Sequence, residues 1–203
     1  MFYVTHSAAI IGLNCVPITV ETDISKGWPG FNVVGLADTA VQEAKERIRA
    51  AWKNTDLSFP YNYKVLINLA PGSVRKIGTL YDMPMAIGMY AAYTELKQNL
   101  NDCLFVGELA LDGSVRPGSG ILAVAQFAKE HKYKHLFVPA INAREASLVD
   151  GIQVYPVHSL KEAIEHVSNT KRIEPHKRSK EIFLPATHEY LDMQYIRGQK
   201  FVK

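Results

Sequence analysis

One continuous segment, an apolar strand followed by a glycine-bearing loop and an apolar helix, constrains the fold of this chain more than any other. Residues 64–69 are rich in Val, Leu and Ile, which favours a buried strand. After the loop at 71–80, Asp82 is a candidate helix cap, and Pro84 fits the first helical turn, where its missing N–H costs little. From residue 83 to about residue 96 the helix is apolar on nearly all sides. The pattern therefore predicts a central, buried helix.

A second helix is predicted upstream, after strands at 16–24 and 30–36. Asp38 fits its N-cap, and apolar residues recur at helical spacing after it. Glu43 and Arg47 are four residues apart and are predicted to form an ion pair on the outer face of this helix. The inner face is formed by Val41, Ala44, Ile48, Ala51 and Trp52.

The second half of the chain alternates short strands and helices. Asp112-Gly113 is a strong hairpin signal between a strand at 104–111 and a short strand near Val115. Ser159, with Glu162 three residues later, predicts a capping box that opens a final helix. Between them the sequence predicts helix 119–131, strand 135–138, helix 143–149 and strand 152–157. Together these elements indicate an α/β (α+β) fold with a mixed sheet and packed helices.

Composition limits the class of protein. At 203 residues, with 47% hydrophobic and 21% charged residues, the chain can bury one good core. Cys15 and Cys103 are too few and too far apart for a disulfide framework or a zinc site. The sequence has neither an apolar run of membrane-spanning length nor a secretion signal, so we expect a cytoplasmic protein without a membrane partner.

Positive charge is concentrated toward the end of the chain. From residue 171 onward, eight Lys or Arg residues stand against four acids, whereas the preceding part has a formal charge of −1. Residues 168–188 lose hydrophobic periodicity and are predicted to form an exposed basic linker. A nearly neutral body with a basic tail is not by itself typical of a nucleic-acid-binding surface.

The segment 68–86 resembles the active-site segment of Lon proteases, with its strand, glycine-bearing loop and D-x-P-x-A helix start. In that family the nucleophilic serine directly follows the proline, and this chain has Met85 there. A thioether has no proton to lose and cannot form an acyl-enzyme, so nucleophilic catalysis at this position is excluded. Residues 107–122 resemble the family's hairpin before the helix that carries the catalytic lysine, and Leu122 occupies that position. The resemblance implies a Lon-protease-like, ribosomal-protein-like β-α-β domain without Lon chemistry, in which Met85 and Leu122 face each other.

The overall match is closer to the ComM/YifB group of magnesium-chelatase-like AAA+ ATPases, whose N-terminal domain is Lon-like. The resemblance divides the chain into a non-catalytic domain at 1–167, the linker at 168–188, and the start of an AAA+ module at 189–203. Its motifs are the segments 19–30, 34–38, 43–51, 67–71, 81–84 and 106–111.

The same resemblance implies a function for the longer protein. It would be a ring-forming homo-oligomer with a downstream AAA+ module that binds ATP and Mg²⁺, acting as a DNA helicase for branch migration in recombination and natural transformation. Arg75, Lys76 and Arg116 occupy two loops that a Lon-like fold would bring together, and they are the candidate nucleic-acid-binding residues. DNA and further copies of the chain are therefore the expected partners.

Two other functions compete with that interpretation. Ser73 and Lys76 match S-x-x-K, so a serine hydrolase or peptidase using Ser73 or Ser119 is one alternative, although S-D-N and K-T-G are both absent from the sequence. A pure ring-assembly module without nucleic-acid contact is the other alternative.

Cofactor and metal motifs are weak in this sequence. It contains no G-x-x-x-x-G-K-[ST], so no phosphate-binding loop is expected in these 203 residues. Gly118 and Gly120 satisfy G-x-G-x-x-A, but they follow a hairpin rather than a long strand, which favours a tight turn into a packed helix. His131 and His135 have metal-ligand spacing without a third ligand. We expect neither a cofactor nor a metal ion in this part of the protein.

Overall fold

The computed structural model describes residues 1–12 and 14–177 as a mixed α/β fold, which confirms the predicted fold class. A four-stranded sheet has the order β1-β2-β4-β3, in which only the β3–β4 pair is parallel. Its strands are β1 (Phe2–Ile11), β2 (Asn14–Lys26), β3 (Gly30–Val34) and β4 (Tyr63–Ala70).

A smaller parallel sheet and a hairpin complete the strand structure. The order of the parallel sheet is β5-β8-β9, and the hairpin pairs β6 with β7 around the predicted Asp112-Gly113 turn. The strands are β5 (Cys103–Phe105), β6 (Glu108–Leu109), β7 (Val115–Arg116), β8 (His135–Pro139) and β9 (Gln153–Val157).

The helices divide the buried side chains between two clusters. The larger cluster lies among the four-stranded sheet, α1, α2 and α5, and the smaller one joins α3 and α4 to the parallel sheet. The helices are α1 (Thr39–Trp52), α2 (Asp82–Tyr93), α3 (Ile121–Glu130), α4 (Ala143–Ala146) and α5 (Leu160–Val167). Within the described part of the chain, no helix has both the length and the apolar character needed to cross a bilayer.

Helix α2 is the central helix that the sequence predicted. Every residue from Asp82 to Ala92 is buried. A Cβ atom at Gly88 would lie 2.8 Å from the Oγ1 atom of Thr22, so glycine lets the helix backbone approach β2 closely. The Thr5 hydroxyl donates to the Pro84 carbonyl at 2.9 Å, which ties the first turn of the helix to β1.

Helix α1 confirms its predicted cap, its inner face and its Glu43–Arg47 ion pair, although Arg47 does not lie on the outer face. Asp38 accepts a hydrogen bond from the Val41 N–H at 2.9 Å, and the five expected apolar residues are buried. Arg47 lies 3.9 Å from Glu43, yet its side chain is only 16% exposed and its main partner is Asp82. Helical spacing predicted the neighbour within α1 but not the partner on α2, which comes from a distant part of the sequence.

Asp82 does not cap α2 as the sequence predicted. It is the first residue of the helix, and its carboxylate accepts from the Arg47 Nε at 2.6 Å, the Arg47 Nη2 at 3.0 Å and the Leu109 N–H at 3.1 Å. Burial raises the pKa of Asp82, and the bonds from Arg47 oppose that shift. This cluster joins α1, α2 and β6 in the interior.

Three further details differ from the sequence predictions. Helix α4 ends at Ala146 rather than near 149, and a 3-10 turn precedes it. Ser159 caps α5, but the Glu162 carboxylate accepts from the N–H of His158, one residue before the cap, and not from that of Ser159. Strand β1 has no counterpart among the predicted elements.

The first residues of the predicted linker are hydrogen-bonded to the folded domain. The Ile173 N–H donates to the Nδ1 atom of His166 at 2.9 Å, and the His176 N–H donates to the Val154 carbonyl at 2.7 Å. The rest of the predicted linker and the predicted AAA+ start at 189–203 lie outside the described residues, so the domain boundaries stay predictions.

Breaking the Arg47–Asp82 pair on one side should destabilise the protein strongly. Either Asp82→Leu or Arg47→Met leaves a mostly buried charge without its partner, which typically costs about 3–5 kcal/mol of unfolding free energy. The double substitution removes both charges and should cost less than the two single changes added together. Urea unfolding of all four proteins gives the coupling energy.

The matched control for this cycle is Lys134→Met, which breaks an exposed ion pair with Asp102 of the same 2.6 Å length. Lys134→Met should lower the free energy of unfolding far less, because the charge that remains after an exposed pair is broken is hydrated by water. Additive costs for Arg47→Met and Asp82→Leu would show that the two side chains are not energetically coupled.

Candidate functional site

The two matched protease positions lie in different surroundings. Met85, in the first turns of α2, is fully buried in the larger cluster. Leu122, in the first turn of α3, is 45% exposed, while its neighbour Ile121 is buried in the smaller cluster. That Met85 and Leu122 face each other stays a prediction.

The loop at 71–80 and the β6–β7 hairpin do meet at the start of α2. The Thr79 hydroxyl donates to the Glu108 carboxylate, and Arg116 lies 3.6 Å from the same carboxylate. The Gly107 N–H donates to the Leu80 carbonyl at 2.9 Å. Residues that are far apart in sequence therefore form one surface at the start of α2, near Met85.

The three candidate nucleic-acid-binding residues do not have equal access to solvent. Arg75 is exposed and, within the described residues, makes no ion pair or hydrogen bond. Arg116 is also exposed, although Glu108 partly compensates its charge. Lys76, in contrast, is fully buried, and its ammonium donates to the Pro71 carbonyl. Lys76 therefore belongs to the interior of the loop and is not available to a phosphate on the surface.

Backbone bonds to the 35–38 turn explain why Lys76 points inward. The Lys76 N–H donates to the Leu36 carbonyl at 3.2 Å, and the Asp38 N–H donates to the Lys76 carbonyl at 3.1 Å. Asp38 also accepts from the Gly78 N–H at 3.2 Å while it caps α1. Since both ends of this short stretch are held, the Lys76 side chain lies beneath the loop, and burial lowers its pKa.

An open groove of about 480 Å³ lies between the 71–80 loop and the β1–β2 turn. Ser73 and Arg75 line one side, Ile10 and Ile11 the other, and Tyr81 also contributes. Within the described residues the Ser73 hydroxyl has no hydrogen-bonding partner, since the Lys76 ammonium is directed to Pro71. The S-x-x-K pair is therefore not arranged as a nucleophile and its base.

Gly118 and Gly120 form the predicted tight turn into α3. Gly120 has φ +76°, in the left-handed region, and a Cβ atom there would lie 2.8 Å from the Cδ1 atom of Ile10. The Gly118 N–H donates to the Asn142 side chain at 2.9 Å. Ser119 is an exposed residue of this turn.

The two histidines with metal-ligand spacing have other neighbours. His131 stacks on Phe127 with ring centroids 4.0 Å apart, and His135 lies 3.3 Å from the Tyr155 hydroxyl. Across residues 1–12 and 14–177, no group of three or more His, Cys, Asp or Glu side chains is arranged to hold a metal ion.

An aromatic surface at the other end of β4 was not predicted as a site. Phe31, Phe59 and Tyr61 line a small groove there, and Trp28, which is 93% exposed, lies two residues before Gly30 of the same groove. The sequence contains a signal for it, because residues 59–63 alternate aromatic side chains with Pro and Asn. That signal is weak alone, since aromatic residues are usually part of the core.

Comparisons with known proteins agree on one group of relatives. Residues 20–142 match the family model described as the ChlI subunit of magnesium chelatase. The chain is 42% identical over 149 residues to the uncharacterized protein YifB of Escherichia coli, an alignment that covers 73% of this chain and 29% of YifB. It is 33% identical over 171 residues to the competence protein ComM of Haemophilus influenzae, covering 84% of this chain and 33% of ComM.

A more distant similarity extends to proteases. The chain is 25% identical over 165 residues to the Lon protease of Desulfovibrio desulfuricans, which covers 76% of this chain and 19% of that protease. This agrees with the Lon-like pattern in the sequence. The chain spans only about a third of the length of YifB or ComM.

The buried Lys76 should make stability depend on alkaline pH. Burial lowers its pKa below the ordinary value of 10.5, so between the lowered pKa and 10.5 the unfolded chain binds more protons than the folded protein. The contribution of Lys76 to the free energy of unfolding therefore rises with pH across this window. Lys76→Met lacks this contribution. The free energy of unfolding of the variant minus that of the parent should therefore fall as the pH approaches 10.5.

Urea unfolding at several pH values from neutral to 10.5 measures this difference. Lys64→Met is the matched control, because Lys64 is exposed on β4 and its substitution should give a difference that does not change with pH. A pH-independent difference for Lys76→Met would mean that the Lys76 ammonium remains hydrated in the folded protein.

Proposed function

Because this chain belongs to the family of the magnesium-chelatase ChlI subunit, with YifB and ComM among its relatives, we propose that it is a non-catalytic, Lon-like domain of an AAA+ ATPase that acts on DNA. The longer protein would be a ring-forming, cytoplasmic helicase that moves branched DNA during recombination and natural transformation. The name of the Haemophilus relative, a competence protein, supports the last part of this proposal.

The observation that carries the non-catalytic role is Met85. It follows the Asp82-Met83-Pro84 helix start that the Lon-like pattern requires, and it is fully buried in the core. A buried thioether supplies neither a nucleophile nor a proton acceptor. The domain thus retains the packing of a Lon-like fold at the position where the protease has its chemistry.

ATP does not fit the residues of this chain. The sequence contains no phosphate-binding loop of the G-x-x-x-x-G-K-[ST] type, and the described residues contain no carboxylate cluster for a metal ion. The proposal therefore assigns ATP and Mg²⁺ to an AAA+ module outside these 203 residues. This domain would transmit or direct the force of that module through contacts with DNA or with neighbouring copies.

The proposed DNA contact of the protease-like surface uses Arg75 and Arg116. Both guanidinium groups are exposed on the two loops that meet beside α2. With Lys76 buried, two cations remain of the original three, so one copy of the domain should bind weakly. Several copies in a ring would raise the effective affinity without any new contact.

A salt titration tests the DNA contact. Arg75→Ala/Arg116→Ala should weaken binding of a fluorescent duplex with little sequence preference, and it should lower the slope of log K against log salt by about one unit per lost phosphate contact. The measurement is fluorescence anisotropy at several salt concentrations. A chain ending at Lys177 separates the contribution of the basic tail while keeping the segment that is bound to the body.

The matched control for this titration is Lys129→Ala/Lys132→Ala, which removes the same charge from the exposed end of α3. If this control and Arg75→Ala/Arg116→Ala change the salt slope equally, the two arginines are not a specific DNA contact. Binding that no variant alters would favour the pure ring-assembly module.

The serine hydrolase alternative has its own test. A fluorophosphonate probe should leave the folded chain unlabelled, and unfolded casein should remain intact, because Ser73 lacks a base and Met85 cannot react. Labelling that disappears in Ser73→Ala or Ser119→Ala would establish a hydrolase in place of the proposed function.

A further inference from the structure

Trp28 is an exposed aromatic residue that packing does not explain. It follows Lys26 and Gly27 in the connection between β2 and β3, and 93% of it is accessible to solvent. The other tryptophan, Trp52, is 1% exposed and lies in the core. An exposed side chain of this size contributes little to folding, and it marks a candidate binding surface where other exposed rings lie at the same end of the sheet.

Trp28 lies in the turn that joins Lys26, paired with Tyr63, to Gly30, paired with Lys64, so it is at the same end of β4 as an organised group of rings. Phe59 lies 6.4 Å from Phe31 and 4.8 Å from Tyr61, measured between ring centroids, and Tyr61 is 61% exposed. These three residues, with Pro29 and Tyr63, line an open groove of about 230 Å³. We call the set Trp28, Phe31, Phe59, Tyr61 and Tyr63 the aromatic platform.

The core holds the aromatic platform in place. Phe59 packs edge-on against the buried Trp52 with centroids 5.8 Å apart, and Tyr63 packs edge-on against Tyr93, the last residue of α2, at the same distance. Phe59 and Tyr63 are therefore fixed before any ligand arrives. Fixed rings lose little conformational entropy when a ligand binds.

Two cationic side chains, Lys26 and Arg49, lie beside the aromatic platform. Lys26 pairs with Tyr63 across the β2–β4 ladder, so the two side chains lie on the same face of the sheet. Within the described residues Lys26 makes no ion pair or hydrogen bond. Arg49 lies over the Phe31 ring at 5.8 Å and also lines the groove, while Glu46 compensates part of its charge at 2.9 Å.

We propose that the aromatic platform binds single-stranded nucleic acid, with bases stacked on Trp28 and Tyr61 and phosphates near Lys26 and Arg49. Exposed rings next to cations are the combination that single strands require, because every base has a π-face and every linkage carries a negative charge. This deepens the proposed function, on which it rests for nucleic acid as the ligand class. It adds a surface distinct from that of Arg75 and Arg116.

Proline-rich peptides also bind to grooves lined with aromatic side chains. The unpaired Lys26 and the position of Arg49 favour a polyanion over a neutral peptide helix. The experiment therefore includes a proline-rich peptide as a competing ligand.

Trp28 provides a built-in reporter, since the chain has only two tryptophans and Trp52 is buried. Stacked bases quench indole emission, so titration of the 203-residue chain with oligo(dT) and oligo(U) at low salt should quench the Trp28 emission. Trp28→Phe should abolish the quenching but keep the binding, which anisotropy of a labelled oligonucleotide reports.

Substitutions then locate the contact. Trp28→Ala and Tyr61→Ala should each weaken oligonucleotide binding by about 5- to 100-fold, the loss of one stacked base. Lys26→Gln should lower the salt slope by about 0.7 unit, the value for one phosphate contact of a single strand. Phe2→Ala and Lys129→Gln are the matched controls, because they remove an exposed ring and an exposed charge elsewhere and should leave binding unchanged.

The outcomes separate this proposal from the proposed function. If oligonucleotides bind but Trp28→Ala and Tyr61→Ala leave the affinity unchanged, the platform proposal is wrong and the DNA function stands. Quenching of Trp28 by a proline-rich peptide and not by an oligonucleotide would replace nucleic acid by a peptide ligand. If neither single strands nor duplexes bind, both proposals fail for this chain. Trp52 emission and thermal unfolding verify that each variant is folded.

Discussion

The bidentate pair between Arg47 and Asp82 holds the centre of this structure together. Desolvating two charges is costly, and the cost is offset here because the carboxylate accepts three hydrogen bonds and the guanidinium also donates to the Ala40 carbonyl at 2.9 Å. The cluster fixes the start of α2 against α1 and β6. A shift of any of these elements would leave a buried charge unpaired, so their relative positions are strongly determined.

The features beside α2 follow from this arrangement. Once Asp82 is fixed, Met85 enters the core and the 71–80 loop must pass between α1 and the β6–β7 hairpin. The loop is fastened at both sides, by Asp38 through the Gly78 N–H and by Glu108 through the Thr79 hydroxyl. A region that resembles a protease site is thus a rigid junction, in which the polar groups stabilise the fold and the position for the nucleophile is filled by an apolar side chain.

The groups that stabilise no part of the fold lie on the surface. Arg75 on the loop, and Trp28, Tyr61 and Lys26 around the aromatic platform, are exposed and contribute little to folding. Neither surface is strongly charged, which agrees with the near-neutral body of the chain. Under the proposed function, such surfaces would bind weakly as single copies and more tightly when several copies assemble.

The sequence by itself determined the elements whose signals are local. The cap at Asp38, the inner face of α1, the apolar α2 and the Asp112-Gly113 hairpin each depend on residues a few positions apart, so periodicity and turn chemistry predicted them correctly. The expectation that Met85 cannot act as a nucleophile likewise requires only the identity of one side chain. Only the tertiary structure decided which charges are buried and which rings are exposed. Arg47 turned inward to a carboxylate 35 positions away, Lys76 lies beneath its loop and Trp28 is in solvent, because the environment of each side chain is supplied by segments remote in sequence.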